Sequence, residues 1–133
     1  MNAMAKIIEA LPKDDRYVEN PANPAHAMVI KPVEGRVEIY FGDTLLARSR
    51  QAKRVLEFGK SVYDPMIYIP KSDLTAVLTP QAKTSVCPLK GTASYVSYGD
   101  EEIAWSYAPY AFADELKDHF CFWPSKVRLV EQP

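Results

Sequence analysis

The segment Ser85-Val86-Cys87-Pro88-Leu89-Lys90-Gly91 carries the most distinctive chemistry in the chain. Cysteine is nucleophilic as its thiolate, and a nearby cation favours that form. Lys90 lies three residues from Cys87, and Arg50 could join them if the fold brings it near. Such a group could use Cys87 as a nucleophile or redox centre. It could equally hold a carboxylate or phosphate, Arg50 by its bidentate fork and Lys90 as a point charge. The structural alternative is a Cys87 that serves as a small buried hydrophobe. Arg50 and Lys90 would then form salt bridges to Asp73 or Glu57.

A second set is aromatic. Tyr68, Tyr95, Trp105 and Tyr107 fall in segments rich in strand formers. Alternate residues of a strand share a face, so Trp105 and Tyr107 should point the same way. A concave sheet lined by such rings suits a small planar or cationic ligand. Many aromatics in a chain of this length must nevertheless be core.

Metal chemistry has little support. His119 and Cys121 stand at i and i+2, but His26 and Cys87 complete the supply of imidazole and thiol ligands. No CxxC pair exists, so no structural zinc is expected, and no other metal or cofactor is implied. Lys90-Gly91 lacks the upstream glycine of a phosphate-binding loop. GxSxG, HExxH and GxGxxG are absent.

The elements that must position these residues read as mainly β. Val37, Ile39 and Phe41 alternate with polar positions, Gly42-Asp43 signals a hairpin, and Thr44–Ala47 is the return strand. Ser49 could cap a short helix carrying Ala52, Val55 and Leu56 on one face and ending at Gly59. Val62–Ile69, interrupted by Asp64-Pro65, reads as an edge or bulged strand. Leu74–Leu78 reads as a further strand. Thr92–Tyr98 and Glu102–Tyr107 flank a second Gly-Asp turn. Ala111–His119 has helical spacing, and Phe120–Trp123 and Lys126–Val130 close the chain as strands. Residues 1–32 read as an irregular N-terminal arm with a short amphipathic helix over residues 1–11. Residues 33–133 read as a single mainly-β domain, a small barrel or a pair of packed sheets, with two or three short helices.

Composition bounds the partners. The chain has 133 residues, 47% of them hydrophobic and 25% charged, which is ample for one globular core. The net charge of −1 gives no case for nucleic acid or an anionic membrane. Residues 44–98 are nonetheless basic, with eight Lys and Arg against three acids, while 99–133 are acidic. Two cysteines make no disulfide framework, and the start MNAMAKIIEALPKDD contains no secretory apolar run. A cytoplasmic protein with reduced thiols is expected; self-association is left open.

Five short motifs then occur in order: Ala47-Arg48-Ser49-Arg50-Gln51-Ala52, Tyr68-Ile69-Pro70-Lys71-Ser72-Asp73, Cys87-Pro88-Leu89-Lys90-Gly91-Thr92-Ala93-Ser94-Tyr95, Ala104-Trp105-Ser106-Tyr107 and Phe122-Trp123-Pro124. Together they resemble the bacterial domain-of-unknown-function family 427 over roughly Val33–Val130. Val96 and Ala108 depart from the family's usual tyrosine and proline. The resemblance implies a single mainly-β domain related to the β-tent folds. Zinc held by paired CxxC motifs in such relatives is not carried over, because this chain has none. The family's nucleotidyltransferase-like label also finds no paired carboxylates here in a Gly-Ser context that would hold Mg²⁺.

Three functions follow as expectations. The first is a small-molecule binding domain using Tyr68, Tyr95, Trp105 and Tyr107, with Arg50 and Lys90 meeting an anionic group of the ligand. The second is a thiol-dependent enzyme using Cys87. The third is an interaction module built on the proline-rich arm or an exposed strand edge.

Overall fold

Eleven strands form two antiparallel sheets in the computed structural model, which describes residues 16–133. The strands are β1 (Arg16–Asn20), β2 (Asn23–Pro32), β3 (Arg36–Phe41), β4 (Thr44–Ser49), β5 (Lys53–Phe58), β6 (Met66–Pro70), β7 (Thr79–Cys87), β8 (Gly91–Tyr98), β9 (Glu101–Pro109), β10 (His119–Phe122) and β11 (Arg128–Gln132). The larger sheet has the order β1-β2-β5-β6-β10-β9-β8-β7, and the smaller has β11-β3-β4. The large sheet is open, so the architecture is a pair of packed sheets and not a closed barrel.

The smaller sheet covers one face of the larger. Val37, Ile39, Leu46 and Ala47 from the small sheet pack with Ile67, Ile69, Val96, Ala104 and Phe122 from the large one. The opposite face of the large sheet carries a second cluster: Val18, Met28, Ile30, Val55, Tyr68 and Cys121, covered by Leu89, Ala113 and Leu116. Both clusters follow from strand alternation. Neighbours such as Ile67 and Tyr68 point to opposite faces, and both faces are buried there.

Two hairpins form where the sequence places them, at Gly42-Asp43 and Gly99-Asp100. Gly42 and Gly99 take the left-handed backbone such turns need. Other elements differ. Residues 53–58 are a strand, not a helix. Ser49 does accept an N–H, but from Gln51, and it donates its own hydroxyl proton to Asp73. The capping signal therefore builds a local turn, and β5 pairs with both β2 and β6. Residues 16–32 form a hairpin joined to β5, where an irregular arm was expected; residues 1–11 lie outside the described residues.

Pro65 precedes β6, so it removes no ladder hydrogen bond, and β6 lies inside the sheet between β5 and β10. Leu74–Leu78 forms only one isolated bridge, Ala47 to Leu74, although Leu74, Ala76 and Leu78 still pack on the main core. The expected short helices are corrected too. Among the described residues the only helical pieces are 3-10 turns at Lys71–Asp73 and Ala111–Leu116. The second is kinked at Ala113, which joins two successive turns, and it buries Ala113 and Leu116. No helix among the described residues is long and apolar enough to cross a membrane.

Candidate functional site

The register of the large sheet lines up one row of side chains across five strands. Lys53 pairs with Tyr68, Tyr68 with Cys121, Cys121 with Trp105, and Trp105 with Tyr95. Register partners share a face, so all five point away from the small sheet. Tyr107 lies two residues beyond Trp105 on the same face, and both pack against the second cluster. The sequence expectation that Trp105 and Tyr107 share a face agrees with this register.

Exposure changes along the row. Tyr68 is buried at 2% exposure beneath the 111–116 turn, whereas Tyr95, Trp105 and Tyr107 are half-buried. Trp105 and Trp123 meet with ring centroids 4.5 Å apart. The Trp123 indole N–H donates to Glu102 at 3.0 Å, and Lys83 donates to the other Glu102 oxygen at 3.0 Å. The Lys83 ammonium also lies 4.3 Å from the Tyr95 ring centre. The Tyr95 and Ser85 hydroxyls share a 2.7 Å hydrogen bond. The outcome is an aromatic strip with hydroxyl and carboxylate groups along its rim.

Lys90 closes the inner end of the strip. The turn after β7 folds Leu89 and Lys90 over the large sheet, and both are buried. The Lys90 ammonium forms an ion pair with Glu57 and lies 5.8 Å from the Tyr107 ring centre. The second Glu57 oxygen meets His26 Nε2 at 2.9 Å, and His26 Nδ1 lies 3.1 Å from Asn20 Nδ2. Asn20 Oδ1 accepts the Ala22 N–H, which fixes the amide orientation. Asn20 therefore donates to Nδ1, and the Nε2–H tautomer of His26 donates to Glu57. Asn20 and Lys90 are buried, His26 and Glu57 half-buried, and each member of the chain has a partner.

Burial alone would raise the Glu57 carboxyl, but the charge and hydrogen bond of Lys90, then His26, hold it below its ordinary value. Burial pushes the Tyr68 and Tyr107 hydroxyls up, and it pushes the Cys121 thiol up to about 12. Cys121 is a neutral core residue; Cys87 is half-buried and free.

The structure brings together Tyr68, Lys90, Tyr95, Trp105, Tyr107 and Cys87, and leaves Arg50 elsewhere. Arg50 is exposed on the bend before β5, while Glu57 stands near that strand's other end. Glu57 lies four steps along the strand from Lys53, about 13 Å at the usual rise. Lys90 adopts the salt bridge to Glu57 that was the structural alternative. Asp73 takes a hydroxyl from Ser49 and not Arg50.

Sequence reasoning missed His26, Asn20, Lys83, Glu102 and Trp123 as members of the site. Nothing local marks the first two; only the β1–β2 hairpin carries them to Glu57. Trp123 stood in a quoted motif, yet its contact with Trp105 depends on β10 pairing with β9. No cluster of three or more His, Cys, Asp or Glu that could hold a metal ion occurs among the described residues.

No curated protein matches the chain. A family model described as a domain of unknown function (DUF427) matches residues 29–132, which run from β2 to β11 and take in all five quoted motifs. A match over that much of its length means that the chain belongs to the DUF427 family.

Proposed function

We propose that the protein is a small-molecule-binding domain whose ligand lays a planar group on the strip formed by Tyr95, Trp105 and Tyr107. The observation that carries the reading is the half-burial of these three rings on one face, which the small sheet does not cover. Ring stacking supplies affinity, and the Ser85–Tyr95 hydroxyls and Glu102 supply direction. Lys90 and Lys83 are both paired with carboxylates, so a free anion gains little from either. That balance favours an uncharged or cationic planar ligand over the anionic one expected from Arg50 and Lys90.

The thiol-enzyme reading is weaker, because Lys90 is committed to Glu57 and offers Cys87 no uncompensated charge. The test uses the chain's two tryptophans, Trp105 and Trp123, which both belong to the strip. Titration with a panel of uncharged and cationic planar heterocycles should quench or shift their emission in a saturable way. The change should weaken at least tenfold in Tyr107→Ala. An unresponsive emission across the whole panel would count against the reading.

A further inference from the structure

A groove of about 500 Å³ opens beside β8 and β9, reaching the face opposite Tyr95 and Trp105. Ser94 and Ser106 are register partners on its floor, alternating with Tyr95 and Trp105. Half-buried Phe120 forms an apolar wall. Tyr107, Ala108 and Pro109 of β9, with Lys71, Asp114, Lys117 and Asp118, line the remainder. The backbone ties these segments together: the Lys71 N–H donates to the Asp118 carbonyl at 2.7 Å. Asp118 holds a left-handed backbone at φ 57°, which turns the chain from the 3-10 segment into β10.

The charges decide what fits. Among the described residues, none of the four charged side chains forms an ion pair, and neither serine hydroxyl is hydrogen-bonded. Two lysines and two aspartates thus line one cavity with no ion pair among them. A simple anion would be repelled by Asp114 and Asp118, and a simple cation by the lysines. A neutral sugar would satisfy hydroxyls but use neither charge. A molecule with separated positive and negative groups meets both.

We propose that this groove binds a small zwitterion of the α-amino-acid or short-peptide class. Its carboxylate would sit between the lysines and the serine hydroxyls, its ammonium on the aspartates, and its apolar part on Phe120. The volume lies within the usual range for small-molecule sites, roughly 300 to 1,000 Å³. The proposal does not use Tyr95 or Trp105, which face the other way; Tyr107 borders both sites.

The probe is the dipeptide alanyl-alanine, followed by backbone amide NMR, with its N-acetylated, C-amidated form as the comparison. Expected are saturable shifts for the amides of Lys71, Ser94, Ser106 and Asp118 with the free dipeptide, and none with the capped form. Lys71→Ala and Asp114→Ala, both at exposed positions, should each weaken binding at least fivefold while leaving the remaining spectrum in place. Equal shifts from the capped peptide or from glucose would overturn the zwitterion assignment. So would no shifts with alanyl-alanine up to about 10 mM. Shifts confined to Tyr95 and Trp105 would also overturn it, and would assign the peptide to the opposite face.

Discussion

The Lys90 ammonium and the Glu57 carboxylate join the turn after β7 to strand β5, across the buried face of the large sheet. With His26 on the second oxygen, this contact ties three sequence-distant segments together. Removing Glu57 leaves the buried Lys90 charge without its partner, and removing Lys90 leaves the half-buried Glu57 only its hydrogen bond from His26. Lys90→Met should therefore cost about 3 kcal/mol, and Glu57→Gln a similar amount. That corresponds to a melting temperature lower by on the order of 10 °C. Lys90→Met combined with Glu57→Gln should recover more than about 1 kcal/mol of the summed loss. Strict additivity in chemical unfolding would show that the pair contributes no coupling.

How much of this was legible depends on whether a signal was local. The β3–β4 and β8–β9 hairpins were readable, because Gly42-Asp43 and Gly99-Asp100 interrupt clear alternation. The placement of Trp105 beside Tyr107 followed from the same period. Strand β5 was not readable. Ser49, Gly59 and the spacing of Ala52, Val55 and Leu56 describe a capped helix locally, and pairing with β2 and β6 overrides it. The β1–β2 hairpin was hidden because Pro24 and Pro32 suggested irregular chain, although each sits near an end of β2, where it is tolerated. That omission also concealed His26. Arg50 and Lys90 were grouped because both stand in motif segments, but only topology decides which end of β5 each approaches.

Acid should weaken the protein in two stages. Burial holds His119 below its ordinary value of 6.5, so the folded state prefers the neutral ring. Its contribution is complete above that value and declines as pH falls through the lower folded one. Glu57, Glu38 and Glu102 are held below 4.5, so their contribution is lost only further down, as pH drops beneath that value. Urea midpoints should hold above about pH 6.5, decline gently to about pH 4.5, and fall steeply below it. His119→Gln should flatten the gentle stage and leave the steep one. Superimposable curves for the two proteins would refute the assignment to His119.

The two thiols should differ in reactivity. Cys121 is fully buried with its thiol pushed up to about 12, while Cys87 is half-buried at the end of β7. A disulfide reagent should modify one thiol per native chain, lost in Cys87→Ser, and two after unfolding. Rapid modification of both in the native protein would contradict the burial of Cys121.

Gly91 opens β8 at φ 128°, where a Cβ would lie 2.2 Å from the Ala108 carbonyl oxygen. Gly91→Ala should abolish folding or cost well over about 2 kcal/mol, because backbone must move to admit the methyl. Gly42 has a left-handed φ but open space around it, so Gly42→Ala should cost only about 1 to 2 kcal/mol. Similar thermal shifts for the two variants would show that β8 and β9 can separate at Gly91 without penalty.

Native mass spectrometry of freshly purified protein tests the binding reading most directly. The wild type should retain a small-molecule adduct that disappears on unfolding. Trp105→Ala should purify folded without it. Arg50→Ala should keep it, because Arg50 lies beyond the far end of β5 from Glu57. The contradicting result is a wild-type spectrum at the bare chain mass together with no gain in melting temperature from any planar compound. An adduct that survives Trp105→Ala and is lost in Arg50→Ala would also contradict the account, because it would place the ligand away from the aromatic strip.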